Sequence, residues 1–223
     1  MTTTSARPGW PIATGLILLS AVPVAAGAAR LSQLAAGAPV TPANERFFAI
    51  PVPVVLHIIG ATGYCILGAF QFVPGFRRRR PGWHRAAGRL LVPCGLIAAW
   101  SGLWMTVFYP KPPGDGAVVT GERLVFGSLM IASIVLGFAA VRRRDITQHR
   151  AWMIRGYAIG QGAGTQVLTH LPWTVFIGTP GESVRSVLMG AGWVINLAVA
   201  EWIIRRSSTR PIRTSSALVM ETS

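Results

Sequence analysis

Residues 77–89 read RRRRPGWHRAAGR, and six of these thirteen residues are arginine. In a soluble chain that density points to a nucleic-acid arm. Here the stretch is flanked by HIIGATGYCILGAFQFV before it and LLVPCGLIAAWSGLWMTVF after it. Arginines trapped between two apolar runs of that length belong to a short loop at a membrane face, with a spanning segment on each side.

The composition agrees. Of 223 residues, 51% are apolar and only 13% charged, too little polar surface for a domain bathed in water. The formal charge of +14 comes from arginines and one lysine, Lys111, so nearly all of it is permanent and delocalised. Cys65 and Cys94 both sit inside apolar runs and read as small buried hydrophobes, with neither a disulfide framework nor metal-ligand spacing. YPKPPGDG and FIGTPGES read as short polar turns.

Six segments have the length that a spanning helix needs, about 20 residues. They lie near Pro11–Ala29, Pro51–Pro74, Arg85–Tyr109, Gly121–Val141, Ala151–Ile177 and Val184–Ile204. No alternating strand pattern occurs, and spanning backbone must satisfy its own hydrogen bonds, so the expected fold is an all-α bundle of six transmembrane helices. The first segment, ending in VAAGAA, reads equally as a secretory signal, in which case five spans remain. Residues 1–10 and 205–223 are expected to be cytoplasmic tails, the second basic and disordered.

Alternate connections differ sharply in charge. One side receives Arg7, Arg77–Arg80, Arg85, Arg89, Arg142–Arg144, Arg150, Arg155, Arg205, Arg206, Arg210 and Arg213, sixteen in all. The other receives five: Arg30, Arg46, Lys111, Arg123 and Arg185. By the positive-inside rule both termini and both arginine runs face the cytoplasm of a bacterial inner membrane. Anionic headgroups attract such loops by about 1 kcal/mol per residue, which accounts for the runs without nucleic acid. Trp83 reads as an interfacial anchor.

The arginine stretch has a counterpart, RRRDITQHRAWMIR, with the same layout of run, spacer, His-Arg pair and one further arginine. Arg89 and Arg155, about a turn inside the interface, either snorkel to headgroups or pair with a buried acid. Glu201 is the acid at matching depth, with Asn196 deeper on the same span. The four histidines fall at two levels: His84 and His149 near the cytoplasmic face, His57 and His170 near the outer one. His149 and His170 are 21 residues apart, about 31 Å of helix and close to the hydrocarbon thickness.

A histidine pair in each leaflet is what a carrier with b-type haems requires, with small residues where the flat macrocycle passes. Gly60, Ala61 and Gly68 in span two and Gly156, Gly160 and Gly164 in span five offer that room, although the same GxxxGxxxG spacing serves plain helix packing. Hydrolase, metalloprotease and nucleotide-binding motifs are missing from the sequence. A transporter calls for broken helices and polar midplane residues. Pro93, Gln161, Thr165 and Gln166 are the candidates for such a lining, and a polar span five packed in the bundle centre explains them as well.

Taken as a set, HIIGATGYCILGAFQF, RRRRPGWHRAAGR, RRRDITQHRAWMIRGYA and GWVINLAVAEW resemble the bacterial predicted-membrane-protein family called domain of unknown function two-three-zero-six. The HR-x-x-GR element is carried by His84, Arg85, Gly88 and Arg89, and HR-x-WM-x-R by His149, Arg150, Trp152, Met153 and Arg155. The resemblance implies a bundle of spanning helices and little chemistry, with a layout distantly similar to two-haem b-type cytochromes. In the family pattern the position of His170 is more often arginine, which favours His57, His84 and His149 as ligands. Two functions remain open: a haem b or redox membrane protein, with Arg89 and Arg155 near propionates or Glu201, and a non-catalytic partner subunit, homo-oligomer or small-molecule permease.

Overall fold

The computed structural model describes residues 9–208. Its helices run in chain order as α1 (Trp10–Ala35), α2 (Glu45–Ala49), α3 (Pro51–Ala69), α4 (Pro74–Arg79), α5 (Pro81–Phe108), α6 (Ala117–Arg142), α7 (Ile146–Gly160), α8 (Gly162–Phe176) and α9 (Glu182–Ser208). A single 3-10 turn, Phe70–Phe72, follows α3, and no strand occurs among the described residues. Five of these helices, α1, α3, α5, α6 and α9, are long and apolar enough to cross a membrane. α7 and α8, of 15 residues each, follow one another through Gln161 and occupy the fifth expected segment.

Prolines start several helices where their missing N–H costs nothing: α1, α3 and α5 each carry one in the first turn. Between α6 and α7 the chain reverses through Arg144 at φ 63°, and the Asp145 side chain accepts the Gln148 N–H at 2.9 Å to cap α7. The second arginine run is thus a tight helical hairpin. Neighbours pack in a ring, α1 on α3, α3 on α5, α5 on α6, α6 on α7, with α9 against α6, α7 and α8, and α8 closing back on α1.

The buried centre is Tyr64, Leu91, Ala99, Met130, Ile134, Tyr157 and Ile159, supplied by α3, α5, α6 and α7. Outward faces remain apolar too, with Leu18, Leu56, Trp100, Val125, Phe138, Leu168 and Val199 all exposed. A belt of that kind has lipid as its solvent.

Glycine decides how closely the helices approach. A Cβ on Gly60 would lie 2.8 Å from the Cys94 carbonyl oxygen, so α3 and α5 cross nearly backbone to backbone. Gly164 allows α8 the same intimacy with the Leu19 carbonyl of α1. The glycines expected to leave room for a macrocycle are all filled by protein. Gly68 faces the Tyr157 ring, and Gly156 and Gly160 face Tyr64.

The fifth crossing departs from the continuous helix expected over Ala151–Ile177. Its ladder is interrupted at Gln161, where the Gly164 N–H turns to the Gln161 carbonyl at 3.1 Å. α9 also continues through Arg205 and Arg206 to Ser208, so the basic tail begins as helix. Residues 1–8 and 209–223, which hold most of both expected tails, lie outside the described residues.

Candidate functional site

An interrupted helix inside a bilayer exposes backbone groups that something must satisfy. Around Gln161 the freed Ala158 carbonyl is met by a side chain of α9, and side-chain bonds tie α1 and α3 to the same place. The Asn196 amide on α9 donates to the Ala158 carbonyl at 3.0 Å and accepts from the Thr165 hydroxyl at 2.7 Å. Gln161 itself donates from Nε2 to the Tyr157 hydroxyl at 2.7 Å, which in turn donates to the Cys65 carbonyl at 2.7 Å. On its other side Gln161 Oε1 lies 3.0 Å from Ser20 Oγ of α1. One amide therefore ties α1, α3 and α7 together at the break.

Above this network opens a cavity of about 480 Å³, within the usual range for small-molecule sites. Its floor is Tyr64, Cys65, Gly160 and Gln161; its walls include Gly27, Ile58, Leu103, Met130 and Trp193. From Thr120 to Met130 on α6 the lining covers roughly 15 Å of helix rise. Walls come from α1, α3, α5, α6, α8 and α9, so the space is the bundle's own interior rather than a surface dent.

Its mouth is basic. Arg46, Lys111 and Arg123 line it, and no Asp or Glu is among the lining residues. Asp115, with its side chain 1% exposed, serves two arginines: Arg123 Nη1 at 2.5 Å and Arg185 Nε at 2.7 Å. That pairing explains how α6 can begin at Ala117 and carry Arg123 inward in an apolar helix. Arg46 and Arg30 both lie over the Phe47 ring, with guanidinium carbons 4.7 and 4.5 Å from its centroid. Burial, assisted by the nearby Arg123 and Arg30, holds Arg46 below the ordinary arginine range despite the opposing pull of Asp115.

The four histidines go to four different places. His57 is half-buried on the cavity wall, with Nδ1 2.8 Å from the Ala98 carbonyl of α5. His149 is turned to α6, its Nδ1 2.8 Å from the Gly137 carbonyl. His84 lies in the first turn of α5, and α6 packs against both α5 and α7. His170 directs Nδ1 to the Gln166 carbonyl of its own helix at 2.8 Å, leaving Nε2 buried without a partner. Only His57 lines the cavity, and no cluster of three or more metal-binding side chains occurs among the described residues.

Glu201 accepts two bonds from Arg155, from Nε at 2.5 Å and from Nη2 at 3.0 Å. The same guanidinium lies 4.8 Å from the centroid of Trp152. This joins α7 to α9 below the cavity, whereas Arg89 is exposed on α5. Of the polar residues expected to form a lining, Gln161 and Gln166 do so; Thr165 is bound to Asn196, and Pro93 faces a separate apolar groove beside Trp100 and Trp104.

The sequence pattern of the predicted membrane protein family DUF2306 matches residues 54–204. The chain belongs to that family. No curated protein and no solved structure matches it. Within the DUF2306 segment lie the whole floor of the cavity, the Arg155–Glu201 pair and the helix break, together with Lys111 and Arg123; α1 and Arg46 precede it.

The basic mouth is the part that sequence reasoning overlooked. YPKPPGDG reads as a featureless turn, yet it supplies both Lys111 and Asp115. The signal available was an acid and a lysine within five residues of each other in a loop between two apolar spans.

Proposed function

We propose that this DUF2306 protein is a membrane-embedded binding protein or permease for a small molecule, which enters its central cavity between Arg46, Lys111 and Arg123. The cavity carries the reading: a space of about 480 Å³ leads from a polar mouth to a broken helix at the bundle centre. Broken spanning helices near the midplane are where transporters place their sites. With the arginine runs at the cytoplasmic face, the mouth opens to the outside and both termini lie inside.

Filling the space tests this. Native mass spectrometry of the wild type, released from mild detergent, is expected to show a retained small molecule that Ala61→Phe loses while staying monodisperse. Equal occupancy of the two proteins counts against the cavity as the site.

One observation favours a second reading, haem b. A carbonyl can only accept, so His57 Nδ1 donates to Ala98 and Nε2 keeps its lone pair, the arrangement common to metal-bound imidazole. His57 would then hold the iron, Arg46 and Lys111 would meet the propionates, and the group would supply one-electron chemistry. A reduced-minus-oxidised spectrum decides it: a b-type band lost in His57→Ala supports haem, and a flat spectrum from haem-supplied cells removes it.

A further inference from the structure

Charge and shape at the cavity narrow the class of ligand. Five basic residues gather at this end of the bundle, and only three of them, Arg46, Lys111 and Arg123, reach the lining. None of the four acids at the same end reaches the lining. Asp115 is divided between Arg123 and Arg185; the Glu182 side chain packs on Gly116; Glu122 Oε1 lies 2.5 Å from where a Gly190 Cβ would be, facing α9. Glu45 is exposed at the start of α2. Five bases thus meet four acids at this end, but the lining itself receives three cations and no acid.

Below the mouth the character changes within a short distance. Ile58, Leu103, Met130, Ile159 and Trp193 make the walls apolar, and Gln161 offers a polar contact at the floor. A compact inorganic anion finds its donors only at the rim. A neutral hydrocarbon leaves the rim charges unanswered.

We infer that the ligand is an anionic amphiphile, with its carboxylate or phosphate held by Arg46, Lys111 and Arg123 and its apolar body laid along Ile58, Leu103, Met130 and Trp193 towards Gln161. This rests on the cavity being the binding site. Permanent cations at the rim suit either head group, since arginine meets both in forked geometry and lysine as a point charge. Arg123 keeps its bond to Asp115 and contributes its remaining N–H groups.

Laurate provides the probe, measured as equilibrium binding of the tritiated acid to protein in nanodiscs, corrected for empty nanodiscs. The wild type is expected to bind it saturably, with displacement by dodecyl phosphate and not by methyl laurate or dodecylammonium. Joint replacement Arg46→Gln and Lys111→Gln is expected to weaken binding about tenfold or more. Arg143→Gln, at the far end of the bundle, serves as the control for a lost charge and leaves binding unchanged. If methyl laurate competes as well as the acid, or the double variant binds as the wild type does, the ligand is not an anion. Ala61→Phe separates the two claims, since it abolishes binding of every probe if the cavity is the site and none if it is not. Absence of saturable laurate binding in the wild type overturns the anionic class, and the retained mass in native spectrometry then still judges the cavity.

Discussion

Asn196 on α9 donates its amide to the Ala158 carbonyl of α7 at 3.0 Å and accepts the Thr165 hydroxyl of α8 at 2.7 Å, bridging both sides of the interrupted crossing. A side chain in lipid that answers a free carbonyl replaces the missing rung of the helix ladder. Asn196→Leu keeps the branched shape and removes both bonds. It is expected to cost about 1–2 kcal/mol, read as a lowered unfolding midpoint in detergent, because Ala158 and Thr165 are left unpaired. An unchanged midpoint would mean that the break needs no bracing from α9.

Arg155 and Glu201 form a forked pair whose side chains are 25% and 36% exposed. Partial exposure limits its worth to about 1 kcal/mol or less. A double-mutant cycle with Arg155→Gln and Glu201→Gln is expected to return a coupling of that size, shrinking as salt is added. A coupling of zero at low salt would make the pair decorative.

Close crossings give a sharper contrast. Gly164→Ala places a methyl against the Leu19 carbonyl, and since that neighbour is backbone, α1 must move off α8. Loss of monodisperse protein is expected. Gly88→Ala meets nothing within 4 Å and is expected to behave as the wild type. Equal behaviour of the two in size-exclusion chromatography would refute the crossing.

Orientation is testable separately from fold. Replacing Arg142, Arg143 and Arg144 together with the Arg77–Arg80 run by glutamate removes most of the charge asymmetry. Reporter fusions at the C-terminus are expected to switch from cytoplasmic to external signal. Retained orientation would show that other features set the topology.

The five long apolar helices were legible because each depends on little but length and hydropathy, and Pro51 and the Arg144–Asp145 turn mark their own boundaries. The break at Gln161 was not, since its cause is the company of Ser20, Tyr157 and Asn196, brought from far along the chain. The carbonyl that each histidine meets could not be read from spacing, because it depends on rotation about the helix. His149 turns to the Gly137 carbonyl of α6, His57 to the Ala98 carbonyl of α5 and His170 to the Gln166 carbonyl of its own helix. Small residues on spans two and five gave a true signal of close approach; what approached was Tyr64, Tyr157 and neighbouring backbone rather than a macrocycle.

Arg46 and the cavity wall formed by Ser20, Pro23 and Gly27 precede residue 54, where the family pattern begins, while the floor lies after it and is braced across that boundary by the Ser20–Gln161 bond. A helix outside the shared pattern thus closes the chamber like a stave in a barrel, and any change along its inner face alters the room within and the grip on the break at once.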